Sequence, residues 1–107
     1  LYIDDLMPVL DHFIMYGHKH HAYNVTPDQS IDLYTLAEKV IAISGKDLPI
    51  RVAQEGLGPE YTGCNARLKR EVPTLFFTPI DRAIKELYEW YSANKQSLNR
   101  ELLLIDK

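Results

Sequence analysis

Two short stretches are all that this chain offers toward a β-sheet, and helical segments lie between and around them. Ala22-Tyr23-Asn24-Val25 precedes a Thr26-Pro27-Asp28-Gln29 turn, and Ile50-Arg51-Val52-Ala53 alternates in polarity after Pro49. An isolated pair of strands is marginal in water. The chain therefore cannot build a doubly wound sheet alone, and Ala22 to Val25 needs strand neighbours from elsewhere.

Helical patterning fills most of the remainder. Asp5 is placed to cap a helix over about 6–16, with Leu6, Val9, Leu10, Phe13 and Ile14 on one face and Gly17 as its stop. Pro8 falls in the first turn, where its missing N–H removes no intrahelical bond. Ser30 is placed to cap a second helix to about Ser44, carrying Leu33, Leu36, Ala37, Val40 and Ile41 inward before Gly45. Asn65 opens a short helix through Val72, stopped by Pro73. Thr78-Pro79-Ile80-Asp81 has the form of a capping box, and Ile80, Ala83, Ile84, Leu87, Tyr88 and Tyr91 follow as an apolar stripe. The tail, 96–107, reads as helix or strand. The predicted order is helix, strand, helix, strand, short helix, long helix. Its opening residues run straight into a helix without an initiator Met, which suggests one piece of a larger protein.

Composition narrows the function classes. A net charge of -3 gives no electrostatic reason to expect nucleic acid or an anionic membrane as partner. The apolar run Leu102-Leu103-Leu104-Ile105, which no other run exceeds in length, is far short of the ~20 residues that cross a bilayer. A lone Cys64 excludes an intramolecular disulfide and suits a reducing cytoplasm.

Several segments in order carry a resemblance. They are Tyr2-Ile3-Asp4-Asp5-Leu6, Ala22-Tyr23-Asn24-Val25, the Ser-Ile-x-x-x-x-Leu-Ala pattern from Ser30 to Ala37, Ser44-Gly45-Lys46, Asn65-Ala66-Arg67-Leu68 and Trp90-Tyr91. Over residues 1–95 the chain resembles the carboxy-terminal part of an extended short-chain dehydrogenase/reductase, the NAD-dependent nucleotide-sugar epimerase/dehydratase family. The resemblance implies a mixed α/β, mainly helical fold: the substrate-binding lobe of a Rossmann-type enzyme, with a returning strand and a small sheet. Residues 1–29 would complete the Rossmann domain, 30–95 would form the substrate lobe, and 96–107 would be a tail. The implied partners are the protein's own amino-terminal Rossmann domain and a nucleotide-sugar. NAD or NADP would be held by the parent and not by this chain. Self-association is expected where the Rossmann partner is missing. A free-standing interaction or oligomerisation module is the competing reading.

Catalysis by the chain alone is not expected, because it has neither a glycine-rich dinucleotide fingerprint nor the family's catalytic Tyr-x-x-x-Lys. Tyr91-Ser92-Ala93-Asn94-Lys95 has that spacing but ends an amphipathic helix, where core packing explains Tyr91 better. For substrate, the resemblance points to the loop from Gln54 to Arg67. Gln54 and Leu57 stand where relatives often carry an arginine and an acidic residue, so those two contacts do not carry over, while Tyr61 matches a recurring tyrosine. Arg67, with Asn65, Tyr61 and Gln54, forms the candidate substrate-binding set, since a guanidinium fork suits a diphosphate. The competing reading is that Asn65 only caps the short helix and Arg67 is solvated. His18, His20 and His21 lack a carboxylate or cysteine at ligand spacing and read as an exposed loop. Asp4 and Asp5 read as helix-capping carboxylates, not as an acid–base pair.

Overall fold

The computed structural model describes residues 1–52, 56, 58, 60 and 62–103. A single 3-10 turn, Ile3–Asp5, leads into α1, Leu6–Tyr16. Then come α2 (Leu33–Ser44), α3 (Ala66–Glu71), α4 (Ile80–Ala93) and the one-turn α5 (Arg100–Leu103). Among the described residues there is no strand.

The expected mixed α/β fold with a returning strand and a small sheet is therefore overturned: the described chain is helical. The physical reason lies in the main chain of 18–31. Among the described residues it exchanges no backbone–backbone hydrogen bond, either within itself or with another segment. Ala22 to Val25 is tied down by side chains instead, and Ile50 to Val52 likewise joins no ladder. Ala53, the last residue of that second predicted strand, lies outside the described residues.

The helix boundaries follow the sequence pattern closely, but the caps do not. Gly17 and Gly45 end α1 and α2 with positive φ, 74° and 65°, the backbone region that favours glycine. The cap of α2 is Asp32 and not Ser30: its carboxylate accepts the Thr35 N–H at 2.8 Å and the Thr35 hydroxyl at 2.6 Å. Asp5 does not cap α1. Its carboxylate turns away to accept both the N–H (3.1 Å) and the hydroxyl (2.6 Å) of Thr78, across 73 positions of sequence. One long-range contact thereby consumes both predicted caps. The Thr78 hydroxyl donates to Asp5, and no side chain makes a capping bond to α4.

The core sits between α1, α3 and the segment that follows α3. Val9 and Leu68 are fully enclosed, with Val72, Leu75 and Phe77 around them and Phe13, Tyr23 and Val25 packed against the cluster. After the turn at Pro73-Thr74 the chain has no regular structure, and Leu75 and Phe77 are buried while Phe76 between them is exposed. α2 packs on α4, and Lys39 pairs with Asp81 across that contact at 2.7 Å. Tyr2 reaches Glu86 of α4 at 2.8 Å, and the same carboxylate holds Arg82 at 2.7 Å. The Glu86 contact pushes the Tyr2 phenol up to about 12.

This packing leaves the chain open. Its radius of gyration is 16.9 Å, where a compact domain of this length measures about 13 Å. It exposes 9500 Å² of surface at 12.4 kDa, whereas a self-contained monomer of that mass exposes about 6,100 Å². Large apolar side chains are part of that exposed surface. Leu10 and Ile14 of α1, Leu33 and Val40 of α2, and Ile80, Leu87 and Tyr91 of α4 were expected to face inward, and all are exposed.

Candidate functional site

The polar groups of the chain converge on a seam between residues 22–28 and 62–71. Each half needs the other. The Asn24 amide donates to the Cys64 carbonyl at 3.2 Å and the Thr26 hydroxyl to the Gly63 carbonyl at 3.1 Å. The Asn65 amide donates to the Thr26 carbonyl and to Asp28, both at 2.8 Å, and Lys69 pairs with Asp28 at 2.8 Å. At Gly63 the two segments of the seam approach closely: a side-chain carbon there would stand 3.0 Å from the Thr26 methyl. These side-chain bonds satisfy carbonyls that a sheet neighbour would otherwise meet.

Asp28 is the electrostatic centre of the seam. The Lys69 ammonium, and after it the Asn65 amide, hold its carboxyl below the ordinary aspartate range. At the other end Tyr23 forms a second knot. Its hydroxyl accepts the N–H groups of Lys19 (3.1 Å) and His20 (2.9 Å) and donates to Glu71, which also accepts the Lys19 N–H at 2.9 Å. Burial pushes the Glu71 carboxyl up, but the bonds from Tyr23 and Lys19 outweigh it and hold the group below its usual range. Burial, then the bond to Glu71, raises the Tyr23 phenol. The His20 ring stands 5.8 Å from the Tyr23 ring, edge on.

Of the four candidate substrate residues, the seam brings together two. Asn65 sits at the head of α3 but its side chain makes no capping bond; its amide N–H groups donate to the Thr26 carbonyl and to Asp28. Arg67 is exposed, donates to the Ala22 carbonyl at 3.1 Å, and forms no ion pair among the described residues. Gln54 and Tyr61 lie outside the described residues, as does Leu57. The seam carboxylates Asp28 and Glu71 were not anticipated. The only sequence signal for either was the acidic residue in the Pro27-Asp28 turn.

Among the described residues no group of three or more His, Cys, Asp and Glu side chains stands close enough to hold an ion. Cys64 is exposed. Tyr91 is exposed on α4 with its ring 5.1 Å from that of Trp90, so it packs on its neighbour and not in the core. Among the described residues no helix is long and apolar enough to cross a membrane.

A shallow groove of about 450 Å³ runs between α1 and the segment after α3, with Asp11, His12, Tyr16 and Phe76 on its walls. A second, of about 450 Å³ and almost wholly apolar, lies between α2 and Leu48-Pro49-Ile50. No known family profile, no characterised protein and no solved structure matches this chain.

Proposed function

We propose that this chain is a helical, substrate-side lobe of an NAD(P)-dependent nucleotide-sugar epimerase or dehydratase. In this reading it is not catalytic alone and works against the parent's own dinucleotide-binding domain. The observation that carries the reading is surface that the chain leaves uncovered: about one and a half times that of a self-contained monomer of its mass. The ordered segments from Tyr2 to Trp90 supply the family, and an open, incompletely buried lobe is what such a division of labour requires.

Within the lobe, Arg67 is the residue that meets the substrate's diphosphate. It is exposed, its charge is not neutralised by a carboxylate among the described residues, and its single bond to the Ala22 carbonyl fixes where the fork sits. Asn65, which holds residues 26–28 against the head of α3, belongs to the same substrate-binding set.

Arg67→Ala in the parent protein is expected to weaken nucleoside-diphosphate-sugar binding by about tenfold, the loss of one charge-assisted contact. Calorimetric titration with a panel of such sugars is the measurement, and unchanged affinity overturns the role of Arg67. The sequence upstream of Leu1 in the gene tests the wider reading: it should encode a glycine-rich fingerprint and then Tyr-x-x-x-Lys.

A second reading, an interaction or oligomerisation module without nucleotide-sugar binding, is favoured by the apolar exposure of Leu33, Leu48 and Trp90. It predicts that no sugar nucleotide in the panel gives saturable binding.

A further inference from the structure

We draw no further inference here: the strongest candidate, the open groove between α1 and the Val72–Phe76 segment that Asp11, His12, Tyr16 and Phe76 line, is an unpartnered and mostly apolar face, and nothing in the structure shows what covers it.

Discussion

The α1–α3 half and the α2–α4 half of this molecule are both built from amphipathic segments, yet only the first has a finished core. Around α3, Leu68 and Val9 are sealed from water, and three further apolar side chains close over them. α2 runs for 12 residues without one buried side chain, and α4 buries only Ala83 and Ile84. A helix of that length is marginal in water on its own. α2 therefore rests on its Asp32 cap, its contact with α4 and the Lys39–Asp81 pair, the last of which is solvent-exposed and weak. An apolar stripe, then, states a demand for a covering surface. It does not say whether the same chain supplies one.

Truncation mutants break this comparison most directly. Leu68→Ala is expected to cost about 3 kcal/mol or more, because a fully enclosed leucine leaves a cavity. Ile41→Ala on half-buried α2 should cost less than about 1 kcal/mol, since little area leaves water contact there. Urea unfolding of the two variants gives both numbers, and equal losses would show that the two halves are equally packed. Asp5→Ala comes next, at about 2 kcal/mol, because the N–H and hydroxyl of Thr78 lose their common acceptor in a buried place. If Asp5→Ala costs nothing, the link between the start of α1 and the start of α4 does not hold the halves together.

How far the sequence foretold this depends on the range of the interaction. Gly17 and Gly45, whose role is local backbone geometry, were legible, and so was the extent of α2 and α4. Asp5 and Thr78 look like local caps because each has the right chemistry beside a helix start. Nothing nearby reveals that they prefer one another. The core was harder still. Leu68 sits in a short, charged segment, and Leu75 and Phe77 flank exposed Phe76 in a stretch without regular structure, so helical periodicity passed over them. Ala22 to Val25 has strand composition, but strand formation requires a neighbour's main chain, and the described residues provide side chains instead. For the site, Asn65 and Arg67 were candidates in the sequence, whereas Asp28 and Glu71 became visible only when residues 22–28 and α3 came together.

The uncovered α2 face sharpens the comparison from the other side. Leu33→Glu combined with Leu48→Ser changes two exposed residues and should leave stability within about 0.5 kcal/mol. The same pair should reduce any dimer or higher species seen by light scattering at high concentration, because the face that would self-associate is no longer apolar. An unsubstituted chain that is monomeric at every concentration would remove self-association as the reason for that face.

The smallest effect is electrostatic and belongs to the seam. The Asp28 carboxyl titrates lower in the folded chain than in the unfolded one, with Lys69 as the main cause. A depressed carboxylate contributes its stability fully above the ordinary aspartate value of about 3.9. The contribution is lost as pH falls through the lower folded value. Glu71 is depressed too and titrates in the same sense, so wild-type acid sensitivity alone does not isolate Asp28. Asp28→Asn does, since it removes one of the two titrations and keeps a similar shape. Amide exchange across 62–69, followed from pH 6 down to pH 3, should show the seam opening in the wild type. It should show a smaller pH dependence in the variant. The exposure of both Lys69 and Asp28 keeps the effect modest. Identical pH profiles for the two proteins would mean that the Asn24, Thr26 and Asn65 hydrogen bonds hold the seam without the charge pair.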